Sequence, residues 1–541
     1  MPFQPLAARS RQLSSSATAL TVAAAAMLAL LAVSASARPL QRSRPSISKN
    51  EYMAQRGNLL QFEAEMRTAA DLPLTSLEQS ANQILMQLKD AELAKYRHAD
   101  FPPSLHFFSG KHLISDSPVM NFLQALPKGG ALHLHSVSMV RIDWIIETAT
   151  YDPTLYSCFN TTSGAQSFRF SAATKLPSTC NWVNVVAWRQ ASGNATAFDA
   201  QLFQNMTVLV DDPVQAYPTQ DIVWQKFQSA LSLVDGMVAY IPYFIAYTTR
   251  AMQELVDDNV QYAEFRTTLT PLYDINGNVY SSAYQMELLQ QIIANFTAAH
   301  PTTFFGGKAI ICGIRSFEPP VIGELLNETL VLRQQFPDLV AGFDLVSQED
   351  PGYPLIEFLD QFLTSQQSQQ AAGVTIPYFF HAGETNWIDQ DVDDNLFDAV
   401  LLNTTRIGHG FAVAKHPIVS SLVTSRQIAI EVCPISNQVL KLVDDLRNHP
   451  GALYLEQNIP IVISSDDPSV WDISGLSYDF YEAFMGWGGD VLDIKTIKQL
   501  IINSIQFSAM SDAEKQAAFD LWNPLWVSAL QQLVAAANKE L

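Results

Sequence analysis

The chain has 541 residues, 48% hydrophobic and 16% charged, which is enough apolar surface for a large core and too little charge for extended disorder. Its formal net charge of −21 excludes a surface built for nucleic acid, whose phosphates need a positive field, and equally one built for anionic membrane. Such a charge serves solubility.

The first element is an export signal. Arg9 and Arg11 precede an apolar stretch over 17–33, and Ala35-Ser36-Ala37 is a small-x-small cleavage site. The stretch is short and alanine-rich for a membrane span, so a cleaved signal peptide over 1–37, secretion and no stable membrane anchor are expected. Residues 38–118 read as a polar helical extension with a break at Leu72-Pro73-Leu74-Thr75. Within 80–96, Ile84, Leu85, Leu88 and Leu93 recur at helical spacing. An apolar run at 131–135 follows. Residues 150–215 are rich in Ser, Thr and Asn and read as an insertion of irregular or β structure. Cys158 and Cys180 flank its polar part, and in an exported chain they are expected to pair as a disulfide. Cys312 and Cys433 lie in apolar runs and are expected to be buried thiols. Sequons at Asn160, Asn194, Asn205, Asn295, Asn327 and Asn403 fit a secreted glycoprotein.

Beyond the insertion, short apolar runs alternate with helical patterns such as 281–299. The runs are 260–266, 309–315, 339–346, 376–380, 405–408, 428–433 and 459–464, and 131–135 makes eight. Continuous β-branched runs of this kind are buried parallel strands. Eight βα units over 119–149 and 216–541 predict an α/β fold of the (β/α)8 TIM-barrel type, with its chemistry at the C-terminal ends of the strands. An open doubly wound sheet is the competing architecture.

Polar clusters stand where that rule places chemistry. They are His133-Leu134-His135, His381-Ala382-Gly383-Glu384, Gly408-His409-Gly410, Glu431-Val432-Cys433-Pro434 and Ser465-Asp466-Asp467-Pro468. His133 and His135 are two apart on a strand and leave the same face. Together with His381 and Asp466 they form a ligand set without thiolate, which suits one zinc or another borderline divalent ion. Glu384, His409 and Asp467 are groups that move protons around water beside a metal. His409 sits between glycines that let the backbone come close, and it takes or orients the water's proton. Glu384, three residues past His381, protonates the leaving side of the substrate. Asp467 bonds the substrate or holds the nucleophile.

Pro127-Lys128-Gly129-Gly130-Ala131-Leu132-His133-Leu134-His135, His381-Ala382-Gly383-Glu384-Thr385, Arg406-Ile407-Gly408-His409-Gly410-Phe411 and Ser464-Ser465-Asp466-Asp467-Pro468 resemble the metal-dependent adenosine deaminases. The signal, the extension and the cysteine-bounded insertion resemble the secreted adenosine deaminase growth factor branch, and the similarity runs over 50–535. The resemblance implies a barrel with one zinc per chain, held by His133, His135, His381 and Asp466. It implies that Glu384 protonates purine N1 so that water attacks C6, that His409 handles the water's proton, and that Asp467 contacts the water and N7. It further implies release of ammonia from adenosine or 2′-deoxyadenosine, a homodimer made by the N-terminal helices, and an insertion that forms a separate small domain.

Two positions depart from the family. Ser136 and Val137 stand where it carries an aspartate facing the ribose, and Ser347 stands where it carries a glycine facing purine N3. Ser136 and Ser347 thus join Glu384 and Asp467 as expected substrate contacts. Losing a charge-assisted bond costs about 1.5–3 kcal/mol of binding. Three other functions stay open on sequence: a deaminase of another 6-aminopurine compound, a secreted nucleoside-binding, growth-factor-like protein with negligible turnover, and another barrel metallohydrolase that cleaves an ester or amide. A cell-surface receptor or glycan stays open as a partner of the insertion. The complete set of Glu384, His409, Asp467 and the ligands favours the enzyme.

Overall fold

The computed structural model describes residues 47–540 apart from 98, 160–165, 179 and 490; the expected signal peptide and the Asn160 sequon lie outside the described residues. The chain divides into two units, 1–62 and 63–541. What is described of the first is the start of the helix Lys49–Met66, where Tyr52, Met53, Leu59, Leu60 and Phe62 are exposed.

The second unit opens with helical segments. The break at Leu72-Pro73-Leu74-Thr75 ends in a capping box: Thr75 Oγ1 accepts from Glu78 N, and the Glu78 carboxylate accepts from Thr75 N at 2.7 Å. The helix Ser76–Tyr96 follows and buries Ala81, Leu85 and Tyr96. Helices Phe107–Ser115 and Pro118–Ala125 lead into the first barrel strand, β1 (Gly130–His135).

The insertion begins as an antiparallel sheet of β2 (Leu155–Phe159), β3 (Gln166–Phe170) and β4 (Val183–Asn184), with β2 in the middle. Cys158 and Cys180 are joined as a disulfide, while Cys312 and Cys433 are free and buried. Its second half is helical, over Val185–Ala191 and Ala195–Met206. Asparagines that look like loop residues in the sequence cap these helices: Asn184 Oδ1 accepts from Ala187 N and Asn194 Oδ1 from Ala197 N, both at 3.0 Å.

The remaining strands are β5 (Tyr262–Thr267), β6 (Gly306–Ile314), β7 (Val340–Val346), β8 (His381–Ala382), β9 (Arg406–His409), β10 (Ala429–Val432) and β11 (Ile461–Ile463). They pair in parallel as β1-β5-β6-β7 and as β8-β9-β10-β11. Parallel bridges Leu134–Asp466 and Phe343–Tyr378 join the two half-sheets and close an eight-stranded barrel. Seven of them fall on runs expected from the sequence; the run at 376–380 instead leads up to β8, pairing only through the bridge at Tyr378, and the strand itself is the His381–Ala382 that follows. Helices such as Gln220–Val238, Ser282–Ala299 and Pro319–Gln335 lie between the strands in the chain. Both β5 and β7 are buried along their whole length, as parallel strands under helices must be. Among the described residues no helix is long and apolar enough to cross a membrane.

One cap gives a pH prediction. His106 Nδ1 accepts from Phe108 N at 3.3 Å and starts the helix Phe107–Ser115. Burial pushes its pKa down to about 4, the charge of Lys441 adding to the effect and Asp444 opposing it. The unfolded chain's histidine titrates near ~6.5, so the folded state binds fewer protons between these values. The cap's contribution is therefore complete above the unfolded pKa and is lost as pH falls toward the folded one, by up to ~1.4 kcal/mol per pH unit. His106→Asn keeps a capping oxygen and removes the proton site. In urea unfolding at pH 7 and pH 5 the variant should lose less stability than wild type, by about 1–2 kcal/mol. Equal acid sensitivity would refute the assignment.

Candidate active site

His133 and His135 stand at the end of β1, His381 opens β8, and Asp466 lies just beyond β11. One ligand atom from each falls within 4.8 Å of all the others. His133 Nε2 is 3.1 Å from His381 Nε2 and 3.2 Å from Asp466 Oδ1, and His135 Nε2 is 3.1 Å from the same oxygen. The outer ring nitrogens are held. His133 Nδ1 is 2.7 Å from Glu431 Oε2, and His381 Nδ1 is 2.7 Å from Asp344 Oδ2. A carboxylate accepts, so each Nδ1 carries the proton and each Nε2 turns a lone pair inward. Asp466 Oδ1 is buried and receives no hydrogen bond. Lone pairs brought this close with no proton between them repel one another, and a divalent cation removes the conflict. The donor set fits a metal.

A buried ionic network supports His133 and His381 from behind. Arg266 reaches Asp344 at 2.8 Å and Glu431 at 2.5 Å; Arg406 reaches Glu431 at 2.6 Å and Glu264 at 2.5 Å. Burial alone would raise the Glu431 carboxyl, but Arg266, Arg406 and His133 hold it well below its ordinary range. Sequence reasoning noted Glu431 without giving it a role and missed Asp344, Arg266, Arg406 and Glu264. The signal was there: each is a charge inside an otherwise apolar strand run.

Glu384, His409 and Asp467 line one cavity of about 720 Å³ together with His135, His381 and Asp466. The His409 Nε2 atom lies 3.6 Å from Glu384 Oε1 and 3.8 Å from Asp466 Oδ2. Burial, reinforced by Asp466 and Glu349, raises the Glu384 carboxyl well above its ordinary range. Glu349 also fixes the loop, accepting from Gly383 N at 3.2 Å and Glu384 N at 2.6 Å. Asp467 is raised by burial and by Asp466, and it accepts from Ser138 Oγ. The site's backbone is constrained: His409 and Asp466 both have left-handed φ, 57° and 61°. A Cβ on Gly408 would stand 3.0 Å from His133 Cε1 and 3.2 Å from His381 Cα, so a side chain there would crowd both imidazoles.

The two departures from the family fall differently. Ser347 lines the cavity at φ 91°, a conformation made for glycine, and its Oγ accepts from Gln228 Nε2 at 3.1 Å. Val137 lines the cavity while Ser136 does not; the Ser136 amide is bonded to Arg266 O at 2.8 Å. Trp224, Phe227 and Leu231 of the helix Gln220–Val238 add an apolar wall, and Asp235, Glu324 and Glu328 add carboxyls.

A (β/α)8 barrel with imidazoles and carboxylates converging at the C-terminal ends of its strands is the architecture of a metal-dependent hydrolase. Comparison with known proteins narrows this. Residues 200–522 match the adenosine deaminase family model, and residues 27–123 match the adenosine/AMP deaminase N-terminal model. The chain belongs to the adenosine deaminase family. It is 44% identical to human Adenosine deaminase 2 over 474 residues, covering 87% of this chain and 92% of that protein. It is 39% identical to Adenosine deaminase 2-A of Danio rerio over 501 residues, 92% of this chain and 96% of that one. The fold is that of Arabidopsis ADAL complexed with IMP, with a TM-score of 0.53, 17% identity, and coverage of 76% of this chain and 99% of that chain.

Proposed function

We propose that the protein is a secreted zinc-dependent adenosine deaminase, which converts adenosine or 2′-deoxyadenosine and water to inosine or 2′-deoxyinosine and ammonia. One observation carries this reading: convergent ligand atoms share a cavity with a carboxyl that burial keeps protonated, Glu384. His133, His135, His381 and Asp466 would hold one zinc. The ion supplies Lewis acidity and makes water nucleophilic near neutral pH. Glu384 gives its proton to purine N1, which leaves C6 electrophilic. His409 and Asp467 orient the attacking water and manage its proton, and Asp467 also bonds N7. Ser347 meets the nucleoside's edge.

The lining favours a nucleoside over a nucleotide. It contains no Lys or Arg among the described residues, and its additional carboxyls repel a phosphate. In the same reading, 38–118 is a dimer-forming extension, 119–149 and 216–541 form the barrel, and 150–215 is a disulfide-bonded small domain that follows a signal over 1–37. Export is supported by that signal and by sequons at the exposed Asn295, Asn327 and Asn403.

The test is ammonia release from adenosine by the full-length secreted protein. Release is expected, is abolished by a chelator and returns with zinc. Release from a different 6-aminopurine alone would move the substrate. No release from any of them would overturn the reading.

A further inference from the structure

His409 is held from behind by a row of buried side chains. Its Nδ1 lies 3.0 Å from Asn437 Nδ2, and Asn437 Oδ1 lies 2.9 Å from His449 Nε2. His449 Nδ1 accepts a bond of 2.9 Å from the backbone N–H of Gly451. Asn437, His449 and His409 are all buried, and neither Asn437 nor His449 lines the cavity.

The row has a direction, set at its far end. A backbone N–H only donates, so His449 Nδ1 is unprotonated. Neutral His449 then carries its proton on Nε2 and donates to Asn437, which must present its carbonyl oxygen there. That orientation turns the amide NH2 toward His409, whose Nδ1 must accept. The single proton of neutral His409 is left on Nε2, the nitrogen that faces Glu384 and Asp466.

The far end is built to keep this order. The His449 ring stacks on Trp487 with centroids 5.0 Å apart and meets Phe411 edge-on at 5.4 Å. Burial pushes the His449 pKa down to about 3, which keeps the ring neutral. A Cβ on Gly451 would come within 2.6 Å of the Trp487 ring, so only glycine lets the amide and the indole share this place.

We infer that Gly451, His449 and Asn437 form a relay that fixes His409 as an Nε2–H donor toward the reaction space. Asn437 and His449 are positioning residues. Under the deaminase reading, on which this consequence rests, His409 orients the attacking water by donating a hydrogen bond from Nε2, and of the pair it is Asp467 that takes the water's proton.

The tautomer can be read directly. Full-length, metal-loaded protein labelled with ¹⁵N-histidine gives long-range ¹H–¹⁵N correlations that separate the protonated ring nitrogen from the bare one, and His409→Gln identifies the signal. His409 is expected to be bare at Nδ1 and protonated at Nε2; the reverse in wild type would overturn the relay. Asn437→Asp offers His409 only acceptors. It should move the proton to Nδ1 and lower kcat about 10²-fold or more with little change in KM. His449→Gln keeps a donor for Asn437 and an acceptor for Gly451, so it should keep the wild-type tautomer and most of kcat. His449→Leu should lose both. An unmoved tautomer in Asn437→Asp, or a moved one with kcat intact, would overturn the inference. The tautomer is measured without substrate, so a wild-type protein inert toward adenosine would count against the deaminase reading and leave the relay standing on its spectrum.

Discussion

Glu384→Gln is expected to lower kcat on adenosine by about 10²–10⁴-fold while metal content and fold are retained. The two side chains have the same shape, and the loop around them is held by Glu349 through backbone amides, which the substitution does not touch. The Glu384 carboxyl is buried and raised well above its ordinary range, so the substitution removes a neutral acid and strands no partner ion. A glutamine NH2 can still point a hydrogen at purine N1, so KM should move little. What it cannot do is give that hydrogen up. In wild type, activity should fall as pH rises through the raised Glu384 pKa and the acid form is depleted, and this alkaline limb should be missing in the variant. Steady-state kinetics against pH, with zinc measured on the same samples, checks both parts. Activity within about threefold of wild type would remove Glu384 from the role of acid.

The second large effect lies behind the ligands. Glu431→Ala should destabilise the protein by about 3–5 kcal/mol, because it takes from each of two buried arginines one of its two carboxylates and from His133 its acceptor. Arg266 and Arg406 are both fully buried and both close on Glu431, which also accepts from His133 Nδ1. Asp344 and Glu264 remain as partners, but each already serves one arginine. Metal affinity should fall about 10–100-fold as well, because the His133 ring loses the acceptor that fixes its tautomer. Urea unfolding of metal-loaded protein and competition with a chelator read the two effects separately. If the Ala variant does not accumulate, Glu431→Gln, which keeps an acceptor for His133, should show a smaller loss of the same kind. A cost under about 1 kcal/mol would mean that water or another group compensates the arginines.

The barrel was legible because its strands are mostly buried and therefore mostly apolar, and because imidazoles at the ends of apolar runs stand out. His133, His135, His381 and Asp466 could be picked out together for that reason, and the cavity brings Glu384, His409 and Asp467 to the same place. The charges of the supporting network stood out inside apolar runs, but their pairing was not legible. Asp344 meets Arg266 across 78 positions and Glu431 meets His133 across 298, so no local pattern links them. Asn437 and His449 are neutral residues in a stretch of short helices and turns, where hydrogen-bonding side chains are ordinary. The helical second half of the insertion was hidden by its caps, since Asn184 and Asn194 carry the same signal as loop asparagines. Ser136 directly follows the ligand His135, but the chain turns there and Val137 takes the place at the cavity wall.

The closure of the barrel has a further consequence. The half-sheet β1-β5-β6-β7 carries His133 and His135, and the half-sheet β8-β9-β10-β11 leads to His381 and Asp466. At one seam, His135 N donates to Asp466 O at 3.2 Å and Asp466 N donates to His133 O at 3.1 Å, so the ligands themselves stitch the halves together. Neither half owns a complete site. A molecule whose barrel has not shut can carry every ligand in its sequence and still be unable to gather them, so turnover in this protein doubles as a certificate of correct assembly.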